Sequence, residues 1–169
     1  MRSGTGMEGV REMTDNYLIV VGVDGSDGGR RALDWATGEA AARGGTVQAV
    51  TAWRWDGIES GPVTAANPTD EQRHARAVLD GEIQALAARR GSLPPVAAEV
   101  AEGRAADVLT HAARGADLLV LGSHGHSRLR HTVLGSVSEE CVRKASCPVV
   151  VIPVPVAAPP APAEVAVPS

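Results

Sequence analysis

A chain of 169 residues has room for one domain with a substantial core and little more. Its 16 Lys and Arg against 20 Asp and Glu leave a net charge of −4, which gives no general electrostatic reason to bind nucleic acid or an anionic membrane. Hydrophobic residues make up 44% but aromatic ones only 2%, with no Phe, so the core must be built from Val, Leu, Ile and Ala.

Residues 1–15 are polar, without the apolar run of a signal peptide, and read as a flexible tail. The run YLIVVGVD that follows ends in glycines, as a fully buried parallel strand and its loop would. Over 28–42, Ala32, Leu33, Ala36 and Ala40 recur at helical spacing, and Gly44-Gly45 stops the helix. A second strand spans 46–53, followed by a loop of about a dozen residues carrying Gly57, Gly61 and Pro62. Asn67 suits an N-cap and Pro68 the first position of a long helix, with Ala75, Leu79, Ile83 and Leu86 down one face and Gly91 at its end. A third strand is expected over 96–101, and Gly103 turns into a helix carrying Val108, Leu109 and Ala112. DLLVLGS is another buried strand. A glycine-rich loop leads from it to a helix over 135–145, and the last strand covers 149–152.

Alternation of this kind predicts a single α/β domain over 16–153: an open five-stranded parallel sheet with helices on both faces. Ligands of such sheets bind beyond the carboxyl ends of the strands where strand order reverses, here beside the loops after Asp24 and Leu121. The Pro/Ala-rich segment 154–169 is expected to be disordered, and prolines exclude a transmembrane helix over 148–163. Cys141 and Cys147 are too few for a disulfide framework, so a cytoplasmic protein is expected. Cys141 shares an apolar helix face with Val137 and Ala145 and reads as packing; Cys147, before the last strand, is expected to be buried too.

The segment 122–138 carries the chemistry. Gly122 and Gly125 come off a strand, and Gly135-Ser136 opens a helix. Glycines admit close backbone approach, and a helix N-terminus offers unpaired N–H groups and partial positive charge to an anion. Gly135, Ser136, Val137 and Ser138 would supply amides and two hydroxyls; Arg128, Arg130, His124, His126 and His131 add donor or positive character. The same residues also suit a plain strand-to-helix connection with solvated basic side chains, and physics alone leaves both readings open. The spacing is not that of a Walker-type P-loop. Asp24 ends the first strand, where a carboxylate would repel a pyrophosphate but could accept a hydrogen bond from a ligand amino or hydroxyl group. Ser26 is placed to cap the next helix.

Gly122, Gly125, Gly135 and Ser136 fit the pattern G-x2-G-x9-G-[ST], and with LVLGSHG, VLGSVSEECV and CPVVVIP the chain resembles the universal stress protein family from Tyr17 to Pro153. The resemblance implies a Rossmann-like fold of the adenine nucleotide alpha hydrolase kind, with strand order 3-2-1-4-5. It also implies bound ATP, or ADP or AMP. Gly122, Gly125, Gly135, Ser136, Val137 and Ser138 would then hold the phosphates, with His126 and Arg128 beside them. Val23, Asp24 and Gly25 would meet the adenine end, and Ala52 would pack on the base. Thr51 stands where relatives often carry His. Gly103 is open between approaching the ribose and merely starting a helix. The family commonly dimerises through its last strand, so a homodimer is implied, with Pro153 and Pro155 limiting the pairing.

No carboxylate or Cys joins the three loop histidines, so any Mg²⁺ would be carried mainly by the nucleotide phosphates. Arg128, Arg130 or His126 could stabilise developing charge, but no residue declares itself to orient a water. The expected function is therefore an ATP-binding regulator of the stress response. The alternatives are a slow ATPase or phosphotransferase, and a dimeric interaction module without nucleotide, against which the intact glycines count.

Overall fold

The computed structural model describes residues 16–54, 68–125 and 134–155. The elements in chain order are β1 (Leu18–Gly22), α1 (Asp27–Arg43), β2 (Thr46–Trp53), α2 (Pro68–Arg90), β3 (Val96–Glu102), α3 (Ala105–Ala112), β4 (Leu118–Gly122), α4 (Ser136–Lys144) and β5 (Val149–Ile152). The strands form one parallel sheet in the order β3-β2-β1-β4-β5, the α/β arrangement that the alternation predicts.

Two cores follow from the period of two along each strand. Ile19 and Val21 of β1 and Leu118 and Val120 of β4 face α1 and α2, meeting Ala32, Ala36, Ala40, Leu79 and Leu86. Val20, Leu119 and Leu121 face the opposite side, against Ala106, Leu109 and Ala113 and Cys141 of α4. Central strands buried on both faces must be apolar at every position, which is why β1 and β4 read as unbroken runs. The small Ala32, Ala36 and Ala40, all fully buried, let α1 lie close to the sheet.

Helix ends obey their capping chemistry. Ser26 Oγ accepts from Gly29 N–H at 3.1 Å, and Gly44, at φ +65°, closes α1 in the left-handed conformation. Three expectations change. The third helix starts at Ala105 after Arg104, and Gly103 is instead a turn residue at φ +146° whose N–H donates to Trp53 O. Cys147 is half-buried, because β5 lies at the sheet edge and its approach is covered on one side only. Val137, one turn before Cys141 on the same helix face, is 37% exposed because it lines an open cleft rather than the core. Burial pushes the Cys141 thiol up to about 11, which suits packing and leaves little thiolate for redox chemistry. The tails over 1–15 and 156–169, the loop 55–67 and its Asn67 cap lie outside the described residues. No described helix is long and apolar enough to cross a membrane.

Candidate functional site

Strand order reverses between β1 and β4. α1 carries the chain from β1 to β2 on one side, and β4 continues the sheet on the other, so their carboxyl ends open into a gap. A cleft of about 400 Å³ lies there. One end is apolar, walled by Val23, Val50, Ala52, Leu109 and Leu121. The other is formed by Gly122, Gly125 and the first turn of α4 from Gly135 to Glu139.

The glycine-rich end is held by a tight set of bonds. Gly135 N–H donates to Ser123 O at 2.7 Å, and Ser138 Oγ donates to Gly122 O at 2.7 Å, pinning α4 to the tip of β4. Gly135 is the N-cap of α4 and has no side chain to satisfy the first-turn amides. Ser138 is buried, and its hydroxyl serves that tie to β4.

Beside the glycine-rich end, Asp24 Oδ1 accepts from Ser26 N–H at 3.0 Å and from the Ser26 hydroxyl. Its second oxygen faces Gly125, where an added Cβ would stand 2.7 Å from Oδ2. The loops after β1 and β4 therefore meet across the cleft through Asp24 and Gly125. Asp24 and Glu139 both line the space, and among the described residues no Lys or Arg does. Among the described residues, attraction for an anion there comes from the backbone amides and the positive end of α4.

Of the residues the sequence points to, Val23, Asp24, Ala52, Gly122, Gly125, Gly135, Ser136, Val137 and Ser138 line this one cleft. Gly25 is turned the other way. It sits at φ +76° against α2, an added Cβ would meet Val78 Cγ1 at 2.9 Å, and its carbonyl accepts from Arg30 at 2.8 Å. His126 and Arg128 lie outside the described residues. The cleft also takes in His124, Glu139 and Leu109. Leu109 could have been found from its place on the strand-facing stripe of α3, whereas His124 is among the donors that the loop sequence already offers.

The α4 wall is braced from α3. Arg104 donates to Glu140 at 2.9 Å and to Asp107 at 3.3 Å, while Lys144 reaches Asp107 at 3.2 Å and also Glu140. Hydrogen bonds from Lys144, followed by the Arg104 guanidinium, hold the Asp107 and Glu140 carboxyls below their ordinary values. A depressed carboxyl stabilises the fold above its unfolded pKa and loses that contribution as pH falls through the folded one. Wild type should therefore melt above Glu140→Gln at pH 7, with the gap closing below about pH 4, where carboxylates protonate. A thermal-melt series from pH 7 to pH 3 checks this. A constant gap would mean that the charges are idle there.

The family model described as the universal stress protein family matches residues 18–153. The chain is 32% identical over 137 residues to universal stress protein Rv2624c of Mycobacterium tuberculosis H37Rv, covering 79% of this chain and 47% of that relative. It thus spans about half the length of the curated relative it matches. Among solved structures, a universal stress protein in complex with cAMP is 27% identical with a TM-score of 0.61, covering 81% of this chain and 96% of that one. The Archaeoglobus fulgidus universal stress protein in complex with dAMP is 25% identical with a TM-score of 0.51, covering 79% and 94%. The chain belongs to the universal stress protein family.

Proposed function

We propose that this universal stress protein binds an adenine nucleotide in the cleft between β1 and β4 and acts as a nucleotide-dependent regulator of the stress response. The resident ligand is ATP, ADP or AMP, with any Mg²⁺ carried by its phosphates. The observation that carries this reading is the N-terminus of α4. Its first-turn amides have no side-chain cap and open into the cleft, with Gly122 and Gly125 beside them. The apolar end, where Val23, Val50 and Ala52 meet Leu109, suits the faces of a base, with Asp24 near for a donor on the ligand. Two solved family members in complex with cAMP and dAMP support the choice of adenine.

Mass spectrometry of small molecules released from freshly purified protein, followed by calorimetry with the nucleotide found, tests the reading. Absence of any adenine nucleotide, together with no heat on adding ATP, ADP or AMP, would remove it.

A second copy is proposed to pair along β5, an edge of the sheet. The carbonyls of Pro148 and Ile152 accept from the N–H groups of Leu119 and Ser123, so by alternation Val149 and Val151 present their N–H and C=O groups to the open side. Val151→Pro removes one outward donor and leaves the bonds to β4 intact. Sedimentation should show a monomer for this variant and a dimer for wild type at the same concentration. Equal masses would place the interface elsewhere.

A further inference from the structure

The chain is held on both sides as it leaves β5. Arg31 Nε donates to Pro153 O at 3.2 Å, and Val154 N–H donates to Ser123 Oγ at 3.0 Å. Val154 Cγ2 comes over Gly28 at the start of α1, 3.3 Å from where a Cβ would stand. A groove beside α1 opens next to this exit, and Arg31 and Ile152 both border it. Trp35 forms its apolar wall and is 37% exposed, the one aromatic among the exposed large hydrophobic residues described. Gly38, one turn further on, has no side chain to fill the space, and the Arg90 guanidinium reaches over it, with Nη1 3.4 Å from where a Cβ would stand. The carboxylates that line the groove are already paired, Asp34 with Arg90 at 2.8 Å and Glu39 with Arg43.

We propose that this groove is the docking site of the chain's own segment 156–169, with Pro159-Pro160-Ala161-Pro162 seated on Trp35. Three arguments favour this occupant. The first is sequence: a polyproline II helix repeats every three residues, so Pro159 and Pro162 share one face, the spacing that aromatic-lined grooves read. The second is charge. Glu164 is the only charged residue after Pro155, so the proline run brings no like charge against Asp34 or Glu39 and leaves their ion pairs in place. The third is reach. From Gly28, under Val154, to Trp35 is about 10 Å along the axis of α1, and residues 155–158 can span about 13 Å. So short a tether holds the segment at an effective concentration on the order of millimolar. An affinity too weak for a separate peptide is then enough to keep the groove filled.

Backbone nitrogen relaxation on the full chain provides the test. In wild type the amides of Ala161, Ala163 and Glu164 should have order parameters above about 0.7, and in Trp35→Ala these should fall below about 0.6. That variant leaves the tail sequence untouched, so stiffness of the prolines alone predicts no change. Read from the other side, Pro159→Ser/Pro162→Ser should shift the indole N–H signal of Trp35 and leave those of the other two tryptophans in place. Low order in wild type, order that survives Trp35→Ala, or a Trp35 signal indifferent to the proline changes would each overturn the proposal. In a mixture of isotope-labelled wild type with excess unlabelled Trp35→Ala, the labelled tails should keep their order. Loss of order there would give the groove to the tail of a second copy, and would overturn docking within one chain.

Discussion

Gly135→Glu is expected to abolish nucleotide binding, raising Kd at least about 100-fold, while the protein keeps its fold and its thermal midpoint within a few degrees. Gly135 has an ordinary N-cap backbone at φ −70° and ψ 160°, so no strain forbids a side chain. A Cβ there would stand 3.3 Å from Ser123 O and 4.0 Å from Gly125 N, at the seam between the two halves of the proposed phosphate site. A carboxylate on that Cβ occupies the amides that would hold a phosphate and sets a negative charge against it. One unit charge 4 Å from another costs about 4 kcal/mol at an effective dielectric of 20, which exceeds the two decades predicted. Gly135→Ala is the control. It needs a neighbour to give by a few tenths of an ångström and adds no charge, so it should weaken binding far less. Calorimetry with the resident nucleotide, beside far-UV circular dichroism, separates binding from folding. Unchanged affinity in the Glu variant would remove this helix end from the phosphate site.

The sheet was legible in the chain because its central strands are buried on both faces and leave no room for polar residues. Runs such as LIVVG and LLVLG have few other uses in a small protein. The glycine motif was legible as a motif, but the separate reasons for its members were not. Gly122 is where two backbones touch, Gly125 is where a carboxylate comes close, and Gly135 is a cap without a side chain. All three read as one letter in a sequence, and only the distances from an added Cβ tell them apart. Gly25 shows the opposite case. Its neighbours Val23 and Asp24 line the cleft, yet its left-handed φ turns it to α2, a choice that depends on where Val78 sits 53 residues later. The Arg104–Glu140 brace is equally remote in sequence and follows no period that a helix pattern could reveal. In the sequence Ser138 reads as a phosphate donor, and its tie to Gly122 O shows only with β4 and α4 side by side.

Gly122→Ala should be the most destabilising single-methyl change at this site, because it asks two backbones to share one volume. Its Cβ would lie 2.5 Å from Gly28 C and 2.7 Å from Gly28 Cα and O, all atoms of the first turn of α1. A flexible side chain could rotate away from such a contact, but this turn cannot. Gly28 and Gly29 are themselves buried, and a Cβ on Gly28 would strike His124 O at 2.2 Å. Relief therefore requires α1 to lift from β4 along the alanine face that gives the core its close packing. Overpacking ordinarily costs about 1–3 kcal/mol, and a backbone obstacle puts this case at or above about 3 kcal/mol. In a domain of this size that is a fall of roughly 10 °C in Tm, readable by calorimetry or urea denaturation. Because Ser138 is bonded to the Gly122 carbonyl, the same displacement carries α4 with it, and nucleotide affinity should fall alongside stability. That pairing separates the two glycines. Gly135→Glu should lose binding alone, whereas Gly122→Ala should lose both. If Gly122→Ala kept its Tm and lost only the nucleotide, this glycine would be there for the ligand, and the close approach to Gly28 would be incidental.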